Sequence, residues 1–529
     1  MKRKAVMKLC AVAMTVEMVG GLVACGNDAG NNSSTPDSTP QESTGGEEST
    51  GGEESTGGEE SPGGEESSEE AQEETYDFGG AVVRVNGGQW GDLNEETKLD
   101  DDGNVKTGYL EKRAFADQLE AKYNIKIEYV VLEGDDGYNT QELILSSITS
   151  GECFADLFAV SDSIILGIRD YLADITDDVD KLEIGSTYIE PGTWQNRVYG
   201  WTYDNMGSSY VMAYSRTYIK EVAGMDVMPL DKFKAGEWSY DDCIEYLTEM
   251  KANLPEGTYP ICIHTNHWAS MAPAANGVVS IDSDGNINLT NEHYVEALEF
   301  YKTLLEKGLA LPITDVKVLE DGSIESTQNY SMDNMSGNKE SKGYVIGMVE
   351  AWQYPGMPDK GDWGIVPWPW GSNVTCDGDY TTLSDTYMVP QSIWTDMVVP
   401  KAEYRADGAK EIPDIVLHQI ARDFCDLCSP DGQAARHGEW EAEKNGEEYL
   451  NLGYTPGDPG YFTNEEDIEI FDWLHTRSCV DWGHAFNSNT VVRVNRNAAS
   501  VIAVGNDARS TGESFLQEGE ANMKDKGYK

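Results

Sequence analysis

Basic residues are scarce in this sequence: 38 Lys and Arg stand against 94 Asp and Glu in 529 residues, a formal net charge of -56. So acidic a surface repels phosphate backbones and anionic lipid heads, which removes nucleic acid and direct electrostatic membrane docking from the partner list. Long apolar runs are missing too. Beyond residue 25 nothing reaches the roughly 18 to 20 residues of a membrane span. No nucleophile elbow, HExxH, P-loop or paired CxxC occurs, so the usual markers of a bond-breaking chain are absent. Seven cysteines lie beyond residue 25: Cys153, Cys243, Cys262, Cys376, Cys425, Cys428 and Cys479. An odd, scattered set is no disulfide framework. The pair in "CDLC" ends a helical pattern without a second CxxC, and reads as buried thiols.

What is present begins with an export signal. "MKRKAVMK" is a cationic start, "LCAVAMTVEMVGG" is mainly apolar despite Glu17, and "LVAC" puts small residues ahead of Cys25. This resembles a bacterial lipoprotein signal: residues 1–24 would be removed and Cys25 would carry the lipid. An ordinary secretory signal with an incidental cysteine is the alternative. Residues 25–75 follow as the lipidated cysteine and a tether, with "STGGEE" three times in tandem and then "SPGGEE". Gly and Ser impose no backbone preference and the carboxylates repel one another, so the segment is an extended, solvated spacer. As a flexible coil it spans about 40 Å root-mean-square.

From Tyr76 the pattern changes. "AVVRV" reads as a buried strand, "GYLEKRAFADQLEAKYN" as a helix, "IKIEYVVL" as a strand, "YNTQELILSSITSG" as a helix and "ADLFAVS" as a strand. Such alternation predicts an α/β fold with a largely parallel sheet, whose ligands collect at the carboxyl ends of strands. Strand ends therefore supply the first candidates: Gln89 and Trp90 in "NGGQWGD", where Trp90 serves equally to pack against a helix, then Ser161 and Asp162 in "FAVSDS". The last two serve equally as hydrogen-bonders or as a helix cap.

Further blocks run in order: "LADITDDVD", "RVYGWTYDNMGSSYVMAYSRTYIKEVAGMD", "WSYDDCIEYLTEMK", "GVVSIDSDGNINLTNEHYVEALEFYKTLLEKGLALP", "GYVIGMVEAWQYPG", "DWGIVPWPWG" and "YTTLSDTYMVPQSI". The longest combines a hairpin with an Asp-Gly turn and a capped amphipathic helix ending at Gly308. Together they resemble the family 1 extracellular solute-binding proteins of ABC importers, the group of the maltose-binding proteins, over nearly the whole chain after residue 76. The resemblance implies a two-lobed, periplasmic-binding-protein-like (type II) fold with a hinge. Lobe 1 would comprise residues 76–196 and 384–435, and lobe 2 residues 197–383 and 436–529. It also implies an oligosaccharide ligand, an ABC permease as partner, a monomer, contact with the membrane through the lipid alone, and no cofactor.

A sugar ring offers faces of C–H bonds and a rim of hydroxyls, so its site mixes aromatic planes with carboxylates and amides. The stretch "YVIGMVEAWQYPG" has that mixture at a strand end, in Glu350 and Trp352, and the resemblance places Trp352 against the ligand. It likewise implicates Trp201 and Tyr203 near a hinge crossing, His267 and Trp268 in "HTNHWAS", Asp385 and Tyr387 where the chain recrosses, and Trp482 in "VDWGHAF". Thirteen tryptophans also have a core to fill. Trp368 and Trp370 in "DWGIVPWPWG", on extended proline-bearing backbone, are expected to pack inside.

Three other readings stay open beside this one. A secreted glycosidase would also pair carboxylates among aromatics. His264 and His267 have the spacing of two metal ligands but lack a third and fourth, and "DSDGN" lacks the glutamate of a calcium loop, so no metal is expected. A different solute, such as a peptide, or display of a sugar to a sensor would use the same lobes.

Overall fold

The computed structural model describes residues 76–100, 102–131, 141–203, 210–262, 265–319, 324–327, 343–350, 362–391, 396–446, 462, 464–488 and 491–529. Within them the expected β/α alternation is present. Strand β1 (Ala81–Asn86) leads into helix α1 (Thr107–Tyr123), β2 (Ile125–Tyr129), α2 (Gln141–Thr149), β3 (Leu157–Val160) and α3 (Asp162–Ile168). Strand β4 (Gly200–Thr202) completes the outward run, and β9 (Asp396–Val398) returns to the same sheet, in the order β2-β1-β3-β9-β4. β1 is parallel to both β2 and β3, whereas β9 is antiparallel to β3 and β4. Helix α1 packs with α6 (Asp414–Cys428) over Val83, Val85, Leu157 and Met397. This is lobe 1.

The second sheet runs β8-β5-β7-β6, built from β5 (Tyr210–Ser215), β6 (Tyr259–Ile261), β7 (Tyr344–Glu350) and β8 (Trp363–Val366). Every residue of β5, "YVMAYS", is buried, as suits a strand flanked on both sides and covered on both faces. Helices α4 (Thr265–Ala275) and α5 (Glu292–Glu306) pack on each other and on Val494–Ile502. Helix α5 starts on Asn291, whose side chain accepts the His293 N–H, and is followed by Gly308 at φ +67°. That left-handed residue is the stop read from the sequence. The "DSDGN" segment is the expected hairpin: Asp282 accepts the N–H groups of Asp284 and Asn286, and Gly285 stands at φ +83°.

Lobe membership departs from the expected boundaries in three places. β4 belongs to the first sheet, so lobe 1 continues to Tyr203 rather than ending at 196. Val389–Pro390 pair with Ser478–Cys479 of lobe 2, which moves the return crossing from 384 to beyond Gln391. Helix α7 (Pro430–Asn445) rests on lobe 1 through Gly185 N–H to the Arg436 carbonyl (3.0 Å) and Thr187 N–H to Glu439 (3.0 Å), so lobe 1 extends past 435. In each case a strand pairing or hydrogen bond across more than 80 residues decides, and local pattern carries no trace of it.

All seven described cysteines are free. Five are buried, with Cys376 and Cys428 half-buried. The "CDLC" pair lies on α6 as expected. Among the described residues no helix is long and apolar enough to cross a membrane.

Two buried histidines give a pH prediction. Burial lowers His418 to about 3, with Arg405 adding to the shift, and lowers His475 to about 4 against the opposing Phe471 carbonyl. Both folded values lie below the roughly 6.5 of an unfolded imidazole. Above that pH neither state binds the proton; below it the unfolded chain does and the folded chain does not. Stability contributed by each histidine is therefore lost as pH falls from about 6.5, at about 1.4 kcal/mol per unit. The variant His418→Met should show a shallower acid limb, by that slope, in urea unfolding between pH 6 and 4.5. An unchanged slope would contradict the assignment.

Candidate functional site: strand-end edges of two sheets

In lobe 1 the parallel strands β1, β3 and β4 all end at one edge, where Asn86, Val160 and Thr202 give way to loops. In lobe 2, β6, β7 and β8 run together and end beside the start of β5, since Glu350 pairs with Tyr210. The chain passes from Tyr203 to Tyr210 between these edges, seven residue steps that extend at most about 25 Å. A second passage runs from Gln391 to Asp396, where Asp396 pairs with both Val160 and Thr202. Both connections leave or enter the first sheet at its strand-end edge, through Tyr203 and Asp396.

Three of the expected residues lie just beyond the ends of β1, β3 and β4. Gln89, Ser161 and Tyr203 are all half-buried there. Gly88, at φ +50°, lies so close to Ala159 and Met397 that a Cβ would stand 2.9 Å from the alanine methyl, with the Tyr203 ring 3.9 Å away. Only glycine brings the loop this near the sheet. Asp162 opens α3 on the same edge, as the strand-end reading places it.

Four aromatic candidates are corrected by burial. Trp90 is fully buried and stacks on Phe424 at 3.8 Å between centroids and 14° between planes. The 3-10 turn Gly88–Leu93 sends neighbouring side chains in different directions, so Gln89 stays at the edge while Trp90 enters the core. Trp201 is fully buried in the lobe 1 core, because it sits inside β4. Tyr387 donates its hydroxyl to the Trp368 carbonyl (2.9 Å) and packs among Phe233, Trp370 and Trp473. Trp482 is buried edge-on against Trp194 at 5.6 Å, where the lobe 1 hairpin around Gln195 meets lobe 2 through the Ser283 carbonyl. Asp385, expected at the return crossing, is exposed and ion-paired to Arg477 at 2.7 Å within lobe 2. Trp368 and Trp370 are buried, as read from the sequence.

On the lobe 2 edge, β7 ends at Glu350, and His267 and Trp268 lie in the first turn of α4, which follows β6. Trp352 and His264 lie outside the described residues.

Two residues unmarked in the sequence shape the lobe 1 edge. Arg436 of α7 is buried, donates to the Tyr203 carbonyl (2.6 Å) and pairs with Asp426 (2.5 Å). Burial raises the Asp426 carboxyl, an effect that Arg436 and Arg422 oppose. Arg436 thereby fixes the last lobe 1 residue before the crossing. Lys112, in the second turn of α1, donates to Gln89 Oε1 at 2.8 Å and lies over the Phe424 ring at 5.8 Å. The only sequence signal for either is a basic residue on a helix that ends or begins at a strand-end edge.

The family model described as bacterial extracellular solute-binding protein matches residues 103–412, more than half of the chain. This chain is a bacterial extracellular solute-binding protein. Solved structures agree on its fold. The sugar-binding protein MalE of Xanthomonas citri is 12% identical, with 84% of this chain and 98% of that one covered and a TM-score of 0.54. The cyclic alpha-maltosyl-1,6-maltose binding protein of Arthrobacter globiformis is 13% identical over 84% and 100%, at 0.53. A cyclo/maltodextrin-binding protein complexed with maltotetraose is 15% identical over 84% and 97%, at 0.50. Among curated proteins none matches. The solute-binding protein therefore has the two-lobed, MalE-like type II fold that its sequence blocks resemble.

Proposed function

We propose that this protein captures an oligosaccharide between its two strand-end edges and delivers it to the permease of an ABC importer. It breaks no bond, and lipid on Cys25 holds it at the outer face of the cytoplasmic membrane. The observation that carries the reading is the placement of an amide, a hydroxyl and an aromatic ring, from Gln89, Ser161 and Tyr203, half-buried just beyond three strands of the first sheet of a solute-binding protein. These are the groups a sugar rim and face require. The sugar ligands named for similarly folded proteins support the same class. Asp162, Glu350, His267, Trp268 and Trp352 are the further ligand contacts we infer from the sequence. Closure then follows from differential affinity: a ligand bridging both walls binds the closed form better and shifts the population toward it.

Calorimetric titration of the chain from Gly26 onward, against maltotetraose and a panel of plant, host and microbial oligosaccharides, tests this. One sugar class should bind saturably, and Tyr203→Ala should weaken it about tenfold, the worth of one aromatic contact. Absence of heat with every sugar would overturn the ligand class. Slow hydrolysis of a bound glycan would overturn the claim that no bond is broken.

A further inference from the structure

Gln89 and Lys112 fix each other's chemistry. An ammonium can only donate, so the Gln89 atom 2.8 Å from Lys112 Nζ is the amide oxygen, and the orientation of the amide follows. Gln89 Nε2 carries no hydrogen bond among the described residues, and the side chain is half-buried at the strand-end edge. Lys112 has no carboxylate within ion-pairing distance among the described residues, although the chain carries 94 acidic side chains. Its other neighbours are the Phe424 ring and the half-buried Cys428 thiol, with Asp92 the acidic group facing the same corner. Two free N–H bonds of an amide and the spare N–H of an ammonium thus stand together one residue from Gly88, where a Cβ would lie 3.9 Å from the Tyr203 ring.

We propose that Lys112 is a positioning residue that locks the Gln89 amide, so that Gln89 offers its ligand only donors and takes an acceptor oxygen. That oxygen is the ring or hydroxyl oxygen of a neutral sugar or the carboxylate of an acidic one. The inference rests on the sugar-capture reading. A reversed amide would present an oxygen here, which repels a ring oxygen or a carboxylate and turns a hydroxyl round to donate; the lysine prevents the reversal. Cationic and amine-bearing sugars are disfavoured for the same reason.

The test uses the chain from Gly26 onward labelled with 15N-glutamine, the Gln89 side-chain pair being assigned by its loss in Gln89→Met. Maltotetraose, tetragalacturonate and sodium acetate alone are titrated in turn. At least one should move the Gln89 pair, and a response to tetragalacturonate but not maltotetraose would identify the acceptor as a carboxylate. Lys112→Met should weaken that probe about five- to tenfold, and Lys112→Arg, which also only donates, should restore it. If a sugar binds with heat while the Gln89 pair stays still, the corner is wrong and sugar capture stands. If only acetate moves the pair, the corner stands and sugar capture falls. A Gln89 pair unmoved by all three, or equal affinity in Lys112→Met, overturns the proposal.

Discussion

Replacing Trp90 by alanine should cost about 3–5 kcal/mol of unfolding free energy, the range for deleting a large buried aromatic and leaving its cavity. The ring is fully buried and stacked on Phe424 of α6, so it joins the turn after β1 to a helix more than 300 residues further on. Little can collapse into the gap, because α1 and α6 are also held apart by Tyr123 and Asp423, whose hydroxyl-to-carboxylate bond is 2.6 Å. Urea unfolding followed through lobe 1 measures the effect. Gln89→Ala, one residue away, should leave the same transition nearly unmoved, since its side chain is half-buried and bonded to a single lysine. A Trp90→Ala protein that kept its stability and lost ligand would place the ring in the site after all.

The second large effect is expected at Asp467, in the helix α8 (Glu465–His475). Its carboxylate is fully buried and accepts two bonds from Arg216 Nη2, at 2.9 and 2.7 Å, and one from the Ile365 N–H at 3.2 Å. Arg216 also donates to the Trp363 carbonyl. Burial raises the Asp467 carboxyl, and the guanidinium opposes that rise. Asp467→Ala would strand a partly buried guanidinium and a buried N–H, a loss of about 3–5 kcal/mol by analogy with other broken buried pairs. The lobe 2 transition in urea should show it. Asp467→Asn, which keeps an acceptor for Ile365, should lose less. Equal losses would mean that helix packing and not charge compensation sets the cost.

Much of the architecture was legible because it is written in local chemistry. Strand and helix alternation from Ala81 to Val160, the Asp282 turn and the Gly308 stop all depend on residues within a few positions of one another. The interior placement of Trp368 and Trp370 also followed from extended, proline-bearing backbone. Of the candidate site, Gln89 and Ser161 were legible as strand-end residues, and Tyr203 as a residue near a crossing. Trp90, Trp201, Tyr387 and Trp482 were misread for a single reason. An aromatic satisfies a sugar face and a core equally well, and only the partner ring decides which it meets.

The sequence by itself therefore determined the family and the order of elements, since each depends on periodicity, turn chemistry and block order. Tertiary structure alone decided which side chains occupy the strand-end edge. Phe424 takes Trp90 into the core while Lys112 holds Gln89 out of it, and Arg436 reaches back 233 residues to pin the Tyr203 carbonyl. Those contacts are non-local, and burial makes them mutually exclusive: a ring that packs against a distant helix has no face left for a solute.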